Sequence, residues 1–217
     1  MRTRIKVCCI ASRDEAQIAI DAGADALGLV AQMPSGPGPI SDREIADIAL
    51  FVPPPIATFM LTAETTADAI SRHVEKTRPT SVQIVSHIDE VESAKLAGLQ
   101  PHVRRVQVIH VEDQSALTLI QVYAPHVPAC LLDSGRPGAN TPEVGGTGRR
   151  HDWSISRAFV EASPLPVFLA CGLSPDNVRQ AVREVRPFGV DLCTGVRTDG
   201  RLDETKLKDF MAAATAS

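Results

Sequence analysis

No run of apolar residues in this chain approaches the ~20 needed to cross a bilayer. The opening "MRTRIKVCCIAS" turns charged and helical too early for a secretory leader. Those absences predict a cytoplasmic protein with no membrane partner. Nor is there a Lys/Arg-rich run, and the formal net charge is -4, so the chain lacks the electrostatic footprint of a nucleic-acid binder. The expected partner is a small molecule. Cysteines number five, an odd count with no C-x-x-C pair, and Cys8, Cys9, Cys130, Cys171 and Cys193 all sit in apolar runs. A secreted disulfide framework is excluded, and the plain reading of each thiol is a small buried hydrophobe. No Gly/Ser linker or change of composition divides the chain, which predicts one domain over residues 1–217.

What is present is an alternation. "IKVCCI" reads as a strand, and Ser12 with Glu15 three residues later caps the helix "SRDEAQIAIDAGA", which Gly23 closes. "ALGLVA" is the next strand, and Ser41 with Glu44 opens "SDREIADIALFV" before the breaker Pro53-Pro54-Pro55. The unit repeats through the strands "IATFML", "SVQIVS", "RRVQVIHV", "ACLLDS", "PVFLAC" and "GVDLCTG". The intervening helices are "AETTADAISRHVEKT", "DEVESAKLA", "EDQSALTLIQVYA", "WSISRAFVEA", "SPDNVRQAVREV" and "DETKLKDFMAAA". Near-continuous apolar strands separated by amphipathic helices imply parallel strands covered on the outside. An open doubly wound sheet usually carries G-x-G-x-x-G after its first strand, and "CCIAS" has no glycine. Eight β/α units therefore predict an α/β fold of one class, a closed (β/α)8 TIM barrel.

In such a barrel the chemistry sits where the C-terminal ends of the strands converge. That rule selects Cys8 and Cys9, Asp133, Cys171 with Gly172, and Thr194 with Gly195. Alternation along a strand puts the sulfurs of Cys8 and Cys9 on opposite faces, so one of the two points at the mouth. The turns "ACGLSPDNV" and "LCTGVRTDG" and the stretch "GGTG" at 145–148 offer backbone N–H groups suited to a phosphate, though tight turns alone would also account for each glycine. Asp133, at the rim of "ACLLD", suits a general acid, or it caps the turn before Ser134-Gly135. The loop at 135–152 is long enough to bind or cover a ligand. His110 ends strand five without an assigned role, and Trp153 reads as the anchor of a helix start. Thiolates at Cys9, Cys171 and Cys193 holding zinc or an iron–sulfur centre form a minor alternative, since their spacing matches no short metal motif.

These segments resemble the phosphoribosylanthranilate isomerase family along the whole chain. "KVCCIAS", "DAGADALGLV", "LLDS" followed by "GGTGRRHDW", "LACGLSPDNV" and "RPFGVDLCTGV" carry the likeness. The resemblance implies a (β/α)8 enzyme of tryptophan biosynthesis that performs an Amadori rearrangement with no metal and no organic cofactor. By it Cys8 matches the general base and Asp133 the general acid, and the substrate phosphate would lie on Gly146, Gly148, Gly172, Thr194 and Gly195. The chain differs from the family pattern at Cys9 and Cys171, where the family has glycine, and at Cys193-Thr194, where it has two serines. Val85 stands at a family histidine, and "PSGPGPI" lacks the arginine that holds the aromatic carboxylate. Arg136 or Arg197 could supply that guanidinium from another loop. The implied partner is a phosphorylated sugar-amine, and the protein would be a monomer or homodimer. The alternatives are a paralogue isomerising a different phosphorylated aminosugar and a non-catalytic phosphosugar-binding protein.

Overall fold

A computed structural model describes residues 2–135 and 152–216. Eight parallel strands close into a barrel in chain order: β1 (Arg4–Val7), β2 (Ala26–Val30), β3 (Ala57–Thr62), β4 (Ser81–Ile84), β5 (Arg104–His110), β6 (Ala129–Asp133), β7 (Val167–Leu169) and β8 (Gly189–Leu192). Closure is made by β1 on β8, with Arg4 opposite Gly189 and Val7 opposite Leu192. The helices α1 (Arg13–Asp21), α2 (Asp42–Phe51), α3 (Ala67–Thr77), α4 (Glu90–Leu99), α5 (Leu119–Tyr123), α6 (Trp153–Ala162), α7 (Val178–Val185) and α8 (Glu204–Thr215) each follow the strand of the same number. Among the described residues no helix is long and apolar enough to cross a membrane.

Local chemistry explains most of these boundaries. Ser41 Oγ accepts from Glu44 N–H at 3.3 Å and Glu44 Oε2 accepts from Ser41 N–H at 2.8 Å, which completes the capping box that starts α2. Ser12 caps α1 through Glu15 N–H at 3.2 Å, and Gly23, with φ of +94°, turns the chain out of it. Glu15 does not close the box, because its carboxylate accepts instead from Ala11 N–H and Leu202 N–H and pairs with Arg197. The long helix expected over "EDQSALTLIQVYA" is broken into a 3-10 turn, Gln114–Thr118, and the short α5. Beyond β8 lies a small hairpin that apolar periodicity does not reveal, β9 (Arg197–Thr198) on β10 (Arg201–Leu202).

Two apolar layers result. Ile5, Val7, Leu27, Leu29, Met60 and Ile84 point outward into the helices, in the larger cluster that also holds Phe159 and Phe210. The interior is filled by a smaller cluster that includes Phe59, Val106, Val108, Leu131 and Phe168, so the barrel is packed and not a pore. Phe59 and Phe168 meet edge to face at 6.1 Å between centroids. Fully buried in that interior is one lysine, Lys6.

Candidate active site

At the C-terminal ends of the strands a mouth opens, with about 700 Å³ of space that includes part of the open solvent. Cys8, Asp133, Gly172 and Thr194 line it together, as the strand-end rule requires. Val30, Met33, Leu61 and Val85 form an apolar wall, and Ser35, Gly36 and Pro37 of the loop after β2 complete one side. Among the described residues that line the mouth there is no arginine, lysine or histidine.

Cys8 and Cys9 depart from the expected alternation, since both line the mouth. The strand ends at Val7, and Cys9 takes a left-handed turn at φ of +63°, which swings its sulfur to the side that holds Cys8. Such a conformation costs a non-glycine residue about 1–2 kcal/mol. Its side chain lies against the loop after β2, where Cys9 Sγ is 3.6 Å from the Pro37 carbonyl. The two thiols have opposite tendencies. The neighbouring Cys9 thiol, as hydrogen-bond donor, and the Lys6 ammonium hold Cys8 below the ordinary thiol range, against burial and Asp191, which push it up. Cys9, flanked by Cys193 and Cys8 and desolvated, is pushed far up and stays protonated. Of the two, Cys8 is the thiol whose ionised form its surroundings favour.

Asp133 ends β6, where its Oδ1 accepts from Ser134 N–H at 2.7 Å and from the Cys171 thiol at 2.5 Å. Burial and the Asp133 charge push the Cys171 thiol well above its ordinary range, so it remains a donor. Cys171 and Gly172 both have positive φ, +78° and +57°, and bend the chain after β7 around the rim. Thr194 begins a 3-10 turn, Thr194–Val196, after β8. Gly195 does not line the mouth. A Cβ there would lie 2.1 Å from the Leu173 carbonyl oxygen, so the missing side chain lets the loops after β7 and β8 touch.

Arg197, a candidate for the substrate carboxylate, is committed elsewhere. Its Nη1 donates to Glu15 at 3.0 Å and to the Gly200 carbonyl at 2.9 Å, and its Nη2 donates to the Cys9 carbonyl at 2.5 Å. The guanidinium lies behind the mouth and fixes the turn that carries Cys8 and Cys9. Arg136, Gly146 and Gly148 lie outside the described residues. His110 is a packed residue, with Nε2 at 2.9 Å from the Val85 carbonyl and its ring against His87. Trp153 is the buried first residue of α6. Among the described residues no group of three or more His, Cys, Asp or Glu is arranged to hold a metal ion.

Sequence reasoning missed three polar residues on the inner wall. Lys6 Nζ donates to Asp191 Oδ2 at 2.8 Å in full burial, and Gln83 and Asp191 both line the mouth with one buried oxygen each that lacks a protein partner. Burial opposes both charges of the pair. On Lys6 the effect of burial is outweighed chiefly by Asp191, which holds the ammonium protonated, while burial keeps Asp191 above the ordinary carboxylate range despite Lys6. The available signal was a charged residue inside each of two otherwise apolar strand runs, "IKV" and "VDL".

A family model for N-(5'-phosphoribosyl)anthranilate isomerase matches residues 5–213. The isomerase of Natronomonas pharaonis is 36% identical over 98% of both chains. The chain belongs to the phosphoribosylanthranilate isomerase family. Phosphoribosylanthranilate isomerase from Thermococcus kodakaraensis, 27% identical, superposes with a TM-score of 0.81 over 99% of this chain and all of that one. A further isomerase structure, solved with reduced 1-(o-carboxyphenylamino)-1-deoxyribulose 5-phosphate, shares the fold at a TM-score of 0.80 and 24% identity, over 98% of each chain. The resemblance read from "KVCCIAS" and "LACGLSPDNV" is therefore family membership, and the closed barrel is the family's fold.

Proposed function

We propose that this protein isomerises N-(5'-phosphoribosyl)anthranilate to its 1-deoxyribulose form, the Amadori step of tryptophan biosynthesis. Asp133 donates a proton to the ribose ring oxygen as the C1–O bond breaks, and the nitrogen lone pair forms the Schiff base. Cys8 as thiolate takes the proton from C2, the C2–H electrons form the enolamine, and tautomerisation places the carbonyl at C2. The oxidation at C2 balances the reduction at C1, so the reaction calls for no external oxidant or cofactor. The phosphate rests on the backbone at Gly172 and Thr194, with Gly195 allowing those two turns to meet.

The observation that carries this reading is the convergence of Cys8 and Asp133, from β1 and β6, on one mouth bordered by Gly172 and Thr194. Family membership over nearly the whole chain disfavours the paralogue and the non-catalytic binder. The protein acts as a single domain in the cytoplasm, as a monomer or homodimer that sedimentation would distinguish. The test is turnover of phosphoribosylanthranilate, followed by loss of anthranilate fluorescence, together with complementation of a tryptophan auxotroph. Cys8→Ser and Asp133→Asn should each lower kcat by about 10²–10⁴-fold, the range for general acid or base groups. Absence of turnover by the wild-type protein, or full activity in either variant, would refute the assignment.

A further inference from the structure

Lys6 is the largest fully buried side chain and the only cation in the barrel interior among the described residues. Its ammonium donates to Asp191 across the β1–β8 seam at 2.8 Å and lies 5.6 Å from the centroid of the Phe59 ring. A buried ion pair is weak support for stability, since apolar side chains of similar volume pack there at least as well. A reason for this pair is found on its other side. A Cβ on Gly28 would lie 2.6 Å from Cys8 Sγ and 2.9 Å from Lys6 Nζ, so sulfur and ammonium share the space that this glycine leaves. Measured from that one point, the two are no more than 5.5 Å apart, which is 2.6 Å plus 2.9 Å.

We propose that Lys6 is a positioning residue for the isomerisation, in which its ammonium, anchored by Asp191, holds the Cys8 sulfur as a thiolate turned toward the mouth. Lys6 does not touch the substrate. It sits below Cys8, one inward-facing position earlier on β1, and acts through the sulfur. The ammonium attracts the anion that proton abstraction requires, and the ion pair keeps the ammonium from swinging away. In this dry interior a fixed charge acts more strongly than it would in water. The other groups that face Cys8 are Cys9 from the adjoining turn, with Cys193 behind it, and Asp191 from β8. Arg197 approaches only the Cys8 carbonyl, at 3.4 Å. From β2 the facing residue is the uncharged Gly28. Of these groups Lys6 is the cation directed at the sulfur.

The proposal rests on Cys8 as the base, yet it can be read without turnover. The intact protein is treated with iodoacetamide across pH 5–10, and carbamidomethylation at Cys8 is followed by peptide mass spectrometry; the pH dependence of kcat/KM for phosphoribosylanthranilate is recorded in parallel. Lys6→Met should raise the alkylation midpoint by a unit or more, so that on the acid limb the rate falls about tenfold at fixed pH. Asp191→Asn keeps an amide oxygen to which the Lys6 ammonium can donate while removing the negative charge, so it should move the midpoint the other way. Opposite displacements in the two variants support the proposal. A Cys8 midpoint unchanged in both, or displaced in the same direction in both, would overturn it and leave the pair a packing device. If Lys6→Met does not fold, Lys6→Gln takes its place, and an unchanged or raised midpoint in Asp191→Asn alone still refutes the idea. Opposite displacements in a protein that fails to turn over phosphoribosylanthranilate would instead fault the assigned reaction.

Discussion

Gly28→Ala is the smallest change that reaches the proposed base without touching its chemistry. The added Cβ would lie 2.6 Å from Cys8 Sγ, 2.9 Å from Lys6 Nζ and 3.0 Å from Cys8 Cα. Carbon prefers neighbours at about 3.5–4.0 Å, so the sulfur must retreat by roughly 1 Å. The last of the three neighbours belongs to the backbone of β1's end, and no rotamer change moves it away. Overpacking of this kind costs about 1–3 kcal/mol. At about 2–4 °C per kcal/mol for a chain of this size, Tm should fall by about 2–12 °C. A displacement near 1 Å at a reacting group costs on the order of 100-fold in rate, with the loss in kcat and not in KM. Calorimetric melting and steady-state kinetics on the same preparation check both numbers. A variant with unchanged Tm and unchanged kcat would mean that Cys8 and Lys6 do not crowd Gly28, and the account of the thiolate would fail with it.

Glu15 gives a pH prediction. Burial raises its pKa, but the Arg197 hydrogen bond and the Leu202 and Ala11 N–H groups outweigh it and hold the carboxylate below its ordinary 4.5. A depressed folded value means stability that is complete above about 4.5 and lost as pH falls through the folded value. Urea melts between pH 6 and 3 should therefore show a shallower acid loss for Glu15→Gln than for wild type; equal slopes would refute this. Arg197→Ala removes charge-assisted bonds to Glu15 and the clamp on the Cys9 carbonyl, and should destabilise the fold by about 1.5–3 kcal/mol in chemical denaturation. Cys171→Gly relieves a left-handed residue by about 1–2 kcal/mol while removing a hydrogen bond worth about 0.5–1.5 kcal/mol. Stability should change by no more than about 1.5 kcal/mol. A donated hydrogen bond favours a carboxylate over the carboxylic acid that the proposed step needs, so kcat should not fall, and a kcat lowered tenfold or more would refute this.

Much of the architecture was legible locally. Ser41 with Glu44 and Ser12 with Gly23 mark helix ends through bonds that span only a few residues, and apolar strand runs of even spacing imply parallel strands covered by helices. The strand-end rule then placed Cys8, Asp133, Gly172 and Thr194 on one rim, where they are found. Family motifs added roles that spacing could not. The capping signal at Glu15 misled in part, because its carboxylate is drawn to Arg197 and Leu202, partners 182 and 187 residues away.

What chain order left open was settled by closure. Alternation put Cys8 and Cys9 on opposite faces, but a left-handed turn at Cys9, held by packing against the loop after β2, brings it beside Cys8. Arg197 read as an available cation, and the hairpin of β9 and β10 turns it back onto Glu15 and the Cys9 carbonyl. Lys6 and Asp191 are 185 residues apart and meet only because β8 returns to β1. Caps and periodicity arise from contacts within a turn or two and are written in short stretches of chain. The ion pair beneath Cys8 depends on the two ends of the sheet joining, and no short stretch contains that information.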